Sequence, residues 1–526
     1  MKKMRILISI LVAILIVILP VCNNLNHNYR PEPQITNAAG DMGLTTSDWV
    51  ADGTGICTAI DFQNFPQLCS DGAGGAIIAW ADLRNGSFWD IYAQRIDASG
   101  VAQWTANGVA ICTANNDQKF PQLCSDDIGG AIIVWADCRS GTYYDIYAQR
   151  VDASGVAQWT VNGVAICTAS MDQGESKLCS DNKSGAIITW LDQRNGITNT
   201  DVYAQQINAT GAVQWRANGT AICTAINNQW WVELCSDDAN GAIISWADGR
   251  GAGWDIYAQR VNSSGAMQWL ANGTAICTLS STQEAPQLCS DGAGGAIIAW
   301  EDFRNGSYWD IYAQLVNSSG ARQWTADGVG ICTANMDQWV PRLCSDEAGG
   351  AIIVWSDCRG SSYDIYTQRV NASGAAQWTA DGVAICTASG YQSGYQLCSD
   401  NAGGAIITWS DHRSGSSYDI YAQRVDSSGA PQWTVDGVAI CTANRDQQDA
   451  AICSDGAGGA FIIWKDFRSV YYSDIYALLI DSTGHYPTTP PIPFSFPLSM
   501  LLGLLMAILL GSQLKPKPGS KRRITF

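Results

Sequence analysis

Histidine is almost missing from this 526-residue chain, which has three: His27, His412 and His485. That leaves little material for histidine-based zinc sites or for Ser-His-Asp catalysis. Charge is sparse as well, at 15% of residues against 47% hydrophobic. Such a balance excludes a disordered polyelectrolyte. The shortage is sharpest for basic residues, 30 Lys and Arg against 48 Asp and Glu, for a formal net charge of −18. That acidity argues against a nucleic-acid surface. Amphipathic helical periodicity is absent from the long central part of the chain. What is plentiful is tryptophan (22), cysteine (19) and glycine (52).

The two ends read differently from the middle. Lys2, Lys3 and Arg5 precede an apolar run from Ile6 to Val21. This is the pattern of a secretory signal, or of an uncleaved N-terminal anchor, over 1–22. A linker, 23–43, follows. At the other end no charged residue occurs between Asp481 and Lys515. The apolar stretch 492–514 is long enough to cross a bilayer core of ~30 Å as a transmembrane helix. Lys515, Lys517, Lys521, Arg522 and Arg523 follow it. Basic residues stay on the cytoplasmic side. The expectation is a single-pass cell-surface protein: bulk outside, a Pro-rich stalk at 487–491, and a basic cytoplasmic tail at 515–526. Nine Asn-x-Ser/Thr sequons agree with an external face and with a glycoprotein: Asn85, Asn182, Asn208, Asn218, Asn262, Asn272, Asn305, Asn317 and Asn371.

Between the ends one unit occurs eight times. Leu-Cys-Ser-Asp and its variants place Cys at 69, 124, 179, 235, 289, 344, 398 and 453, with gaps of 54 to 56 residues. A second Cys precedes each by twelve, and a Trp follows each by eleven, from Trp80 to Trp464. Within the first unit, Gln67–Asp71 alternates and Gly72-Ala73-Gly74-Gly75 forms a turn. Ala76–Ala81 is an apolar run of strand length, Asp90–Asp97 alternates again, and Val101-Ala102-Gln103-Trp104 begins a fourth strand. Four short antiparallel strands repeated eight times predict an all-β fold, a single eight-bladed β-propeller over 44–486. An open stack of β units is the alternative. Ring closure is favoured because Ser47–Gly53 matches a fourth-strand region, while the last unit lacks one after Asp481. Pairing the two removes a free sheet edge.

The order Pro-Gln-Leu-Cys-Ser-Asp-Gly, apolar strand, Asp-x-Arg-x-Gly, Asp-Ile-Tyr, Asp-x-x-Gly resembles a TolB-type (WD40-like) propeller repeat. The terminal layout is similar to that of archaeal and bacterial surface proteins. The resemblance implies the fold and says almost nothing of function. The paired Cys and the long Trp-bearing fourth strand depart from it.

Eleven residues separate the Cys of each pair. In an exported chain these are candidate disulfides: Cys57–Cys69, Cys112–Cys124, Cys167–Cys179, Cys223–Cys235, Cys277–Cys289, Cys332–Cys344, Cys386–Cys398 and Cys441–Cys453. Each would be worth ~3 kcal/mol in the chain-entropy account. Two independent buried thiols per unit are the other reading, since bridging needs Cα atoms within ~7 Å and the fourth strand to run inward. Cys138 and Cys358 fall in the middle of Asp-x-Arg, four blades apart, and read as free thiols.

Asp-x-Arg with a later Asp is complete in all eight units, as in Asp82, Arg84 and Asp90. A catalytic set is assembled once, so a motif in every blade reads as an ion-pair clamp. The loops of one face vary and are aromatic. Trp89, Phe120, Trp230, Trp231, Trp254, Trp309, Trp339 and Tyr395 are the candidate ligand-binding residues there. The alternative is that these rings pack against neighbouring loops. The function expected first is cell-surface binding of a glycan or a protein partner, with no cofactor, no metal and no catalytic residue assigned. An extracellular hydrolase of glycans or peptides with its site at the propeller mouth is the alternative. Its candidate acids are Glu175, Glu233, Glu284, Glu301 and Glu347, for which sequence shows no pairing. A structural surface component is the third reading.

Overall fold

The computed structural model describes residues 49–487 except 361 and 470. The residues expected to form the signal segment, the linker, the transmembrane helix and the basic tail lie outside the described residues. Within them, no helix is long and apolar enough to cross a membrane.

Thirty-two strands form eight four-stranded antiparallel sheets. Unit one holds Gln63–Ser70, Ala76–Asp82, Asp90–Ile96 and Val109–Cys112, paired in that order. The first strands of neighbouring units touch one another all round, so they are the inner strands of a ring. The second strands are buried along their length, as their unbroken apolar sequence requires. Their Trp, from Trp80 to Trp464, is fully buried. A Cβ at Gly108 would lie 2.6 Å from the Trp80 ring, at a φ of +84°. Glycine therefore holds that turn for two reasons, conformation and close approach.

The ring closes as expected. Thr54–Cys57 pairs antiparallel with Asp474–Ile480 and supplies the outer strand of unit eight. The fourth strand differs from expectation. Ala102 makes only an isolated bridge to Ile96, and the strand proper is Val109–Cys112. The Trp between them turns away because its indole is used elsewhere. Trp104 Nε1 donates to Ala153 O of the next unit at 3.0 Å. Seven further Trp, from Trp49 to Trp433, make the same bond. This staple joins each blade to the next.

The disulfide expectation is corrected. Among the described residues every cysteine is a thiol. Cys57, Cys112, Cys167, Cys223, Cys277, Cys332, Cys386 and Cys441 lie on outer strands and face the Asp-x-Arg clamp of the following unit. Cys69, Cys124, Cys179, Cys235, Cys289, Cys344, Cys398 and Cys453 lie on inner strands, packed between blades. The two cysteines of a pair lie in different sheets, the first on the outer strand of one blade and the second on the inner strand of the next, so their sulfurs belong to separate environments. Cys138 and Cys358 are thiols too.

The clamp is an ion pair in all eight units. In unit two Asp137 Oδ2 accepts from Trp135 Nε1 at 2.7 Å and pairs with Arg139 Nη2 at 2.6 Å. The same Nη2 donates to Asn162 O at 2.7 Å, and the guanidinium lies 3.7 Å above the Tyr147 ring. Cys112 of unit one completes the set, with Sγ 3.4 Å from Nη2. A second pair, Asp71–Arg95 in unit one, recurs in units two, four, six and seven. Several sequon asparagines are turn residues. Asn208, Asn262, Asn317 and Asn371 each accept from three backbone or hydroxyl donors of their own turn. In units one, two and seven Asp97, Asp152 and Asp426 do the same work.

Candidate functional site

Each inner strand carries a bulge near its start. In unit one the register with the second strand shifts between Asn64 and Gln67. The same shift occurs in every unit. The bulged residue is left-handed throughout: Phe65, Phe120, Glu175, Trp231, Ala285, Val340, Gly394 and Asp449, with φ between 49° and 61°. For the seven that are not glycine this conformation costs ~1–2 kcal/mol each. A bulge re-aims a side chain and ends regular pairing. Here it does so around one mouth of the ring, on the aromatic face.

A cavity of about 820 Å³ opens at that mouth, lined by units two to six. Four of the five glutamates that occur in single units line it: Glu175, Glu233, Glu284 and Glu301. Glu175 is the bulged residue of unit three. Glu233 is one of a series pointing inward, and it meets Lys177 Nζ at 2.7 Å and Gln287 Nε2 at 3.2 Å. Glu284 and Glu301 are register partners on the first two strands of unit five. Glu347 lies elsewhere. It sits in an opposite-face turn and accepts from Ser399 Oγ at 2.7 Å.

Glu301 is the unusual group. It is 4% exposed, on a strand where unit one has Ala81. Burial pushes its carboxyl up to about 7, and the Glu284 charge adds to this. The Val340 N–H, which donates to Oε1, and Arg342 pull the other way. Burial also raises Glu284. It raises Glu175 too, where Lys177 opposes and Glu233 assists. A carboxyl that is half protonated near neutrality, beside other acids, can give or take a proton in that range. Among the described residues no group of three or more His, Cys, Asp or Glu is disposed to hold a metal ion.

The eight aromatic candidates divide. Phe120, Trp230 and Trp231 line this cavity. Phe120 and Trp231 are 50% and 40% exposed, leaving ring surface for a ligand. Trp339 and Tyr395 line a second cavity of about 490 Å³. Tyr395 itself is buried, and its single hydroxyl proton is shared between the carbonyls of Trp339 and Val340. It positions the unit-six bulge. Trp89 packs between units one and two, and Trp254 meets Trp231 edge-on at 5.8 Å. Trp309 packs between Phe303 at 5.2 Å and Trp339 at 5.5 Å.

Tyr144, one of the aromatics of the variable face, also lines the first cavity, as do Lys177 and Arg342, which were not singled out from sequence. A column-by-column comparison of the repeats does mark these two. The inward position reads Gln67, Gln122, Lys177, Glu233, Gln287, Arg342, Gln396 and Ala451. Its charges fall only in units three, four and six, which border the cavity.

No family model and no curated protein matches the chain. The eight-bladed propeller of four-stranded antiparallel blades expected from the repeats is what the structure shows. Solved structures similar to it include an ulvan lyase, a polysaccharide lyase solved with a bound saccharide. It is 10% identical over 82% of this chain and 96% of that one, with a TM-score of 0.46. An α-L-arabinanase of Penicillium chrysogenum, complexed with arabinobiose, is 12% identical over 59% and 93%, at 0.34. A Hadza microbial sialidase is 11% identical over 66% and 76%, at 0.35.

Proposed function

We propose that this propeller hydrolyses a neutral glycan in the first cavity. The observation that carries the proposal is the convergence of Glu175, Glu233, Glu284 and Glu301 on one cavity, with Glu301 held near neutrality. Glycoside hydrolysis needs one carboxylic acid to protonate the leaving oxygen and one carboxylate on the other side of the reacting carbon. Glu301 suits the acid, because burial keeps its proton to a higher pH than an ordinary glutamate. Glu284, its cross-strand partner, supplies the second carboxyl. Phe120 and Trp231 offer flat apolar faces to the sugar ring. The excess of acids over Lys177 and Arg342 disfavours an anionic uronate chain and suits a neutral one. The signal-like start and the apolar tail support a place outside the cell, where polymeric glycans are met.

The test is release of reducing ends from a panel of neutral polysaccharides by the full chain. Activity lost in Glu301→Gln, with the fold kept, supports the proposal. Tight glycan binding without turnover supports instead the recognition reading, which the exposed rings of Phe120 and Trp231 favour. Neither binding nor turnover removes both.

A further inference from the structure

We propose that the second cavity is a subsite for the same neutral glycan chain, so that the protein acts within a polymer rather than on a short saccharide. This rests on the hydrolase reading of the first cavity and extends it.

The two cavities are neighbours, because Val340 and Arg342 line both. A chain leaving the first cavity past Arg342 enters the second. Among the described residues Arg342 forms no ion pair, and its Nη1 donates to the adjacent Pro341 carbonyl at 3.3 Å. Its remaining guanidinium donors can meet sugar hydroxyls at the shared wall. Beyond it the lining changes character. The first cavity holds four glutamates, whereas Arg342 is the one formally charged residue of the second. Tyr363 and Tyr391 are 43% and 55% exposed, with ring centroids 5.8 Å apart. Gln396 and Ser393 add polar groups. Aromatic faces with dispersed uncharged hydrogen-bonding groups suit a pyranose, which has apolar faces and a hydroxyl rim.

The cavity has a local cause. Seven units place a side chain at the bulge, and unit seven places Gly394 there. A Cβ at Gly394 would meet only Ser410 Oγ, at 3.8 Å. The missing side chain thus leaves open space. The left-handed conformation does not itself demand glycine, since Phe65, Phe120 and Val340 adopt it at the same position. A large residue can therefore be placed at 394 without asking the backbone for anything its sister units do not already do.

The experiment uses the full chain carrying Glu301→Gln, which keeps both cavities and stops turnover. Calorimetric titration with neutral oligosaccharides of one series, from mono- to hexasaccharide, reads affinity against length. The expected result is a gain of about three- to tenfold once the chain reaches the second cavity, the range of one ring contact. Tyr391→Ala and Gly394→Phe should each remove that gain and leave the affinity for the shortest ligands unchanged. If affinity ignores length, or if both variants keep the gain, the subsite is overturned while the first cavity stands. If no oligosaccharide of any length binds, the hydrolase reading falls and the subsite with it.

Discussion

Glu284 and Glu301 face each other on adjacent strands of unit five, and both carboxyls are raised by burial. Cross-strand partners have Cβ atoms ~4.5–5.5 Å apart, so their charges are felt mutually. Removing the Glu284 charge should therefore make Glu301 more acidic. We expect Glu284→Gln to lower the Glu301 midpoint, by less than about one unit because burial is the larger cause. Carboxyl carbon chemical shifts followed through a pH titration read this directly. A midpoint that stays at about 7 or rises would falsify the coupling.

The clamp makes a prediction about stability. Asp137 is fully buried and binds both Trp135 and Arg139. Asp137→Ala would strip the counter-ion from a half-buried guanidinium and orphan an indole N–H. The expected loss is about 3–5 kcal/mol, the cost of breaking a buried pair from one side. Asp152→Ala, at an exposed turn, is the control and should cost far less. Denaturant unfolding of the two variants compares them. Equal midpoints would mean that the clamp contributes no more than a turn.

The fold was legible because it is written eight times. The buried run Ala76–Asp82, the Gly turns and the spare N-terminal strand each carried over into the structure. The cysteine spacing misled for a physical reason. A constant separation of twelve residues reflects constant positions on two strands, and these were the outer strand of one blade and the inner strand of the next. Chain proximity was not spatial proximity. The site was harder still. Glu175, Glu233, Glu284 and Glu301 come from three units and meet only because bulged inner strands converge on one axis. Reading one unit at a time hides that. The inward column containing Lys177, Glu233 and Arg342 was visible in the aligned repeats, but only the ring gives the column a direction.

The thiols lead to a third prediction. Burial pushes Cys57, Cys112 and their counterparts up to about 12. At mildly alkaline pH they stay protonated, and the thiolate is the reactive form. Alkylation of the native protein should therefore leave this class unmodified, while denatured protein takes the label at all of them. Mass spectrometry of peptides resolves the sites. Reducing agent should also leave the unfolding temperature unchanged. A fall of many degrees on reduction would reveal bridges and contradict the clamp geometry seen around Cys57.

The last prediction concerns stability against pH. Burial raises Asp90, Asp145, Asp201, Asp255, Asp310, Asp419 and Asp474 to about 6, and Glu301 to about 7. In the unfolded chain such aspartates titrate near ~3.9. Between those values the folded state binds more protons than the unfolded state, so stability falls as pH rises through that window. Asp71 and Asp411 act in the opposite sense. Burial works against their charge, but backbone and arginine hydrogen bonds outweigh it and hold both below their ordinary value. Their contribution is present at higher pH and is lost as pH falls through the folded midpoint. The two sets together place maximum stability at about pH 4, with a decline as pH rises toward neutrality and a further loss as pH falls through the lowered midpoints of Asp71 and Asp411. Unfolding temperatures across that range check the shape. A curve that rises steadily from pH 5 to 8 would mean that the second Asp of each repeat is solvated in solution and does not carry the burial seen at Asp90.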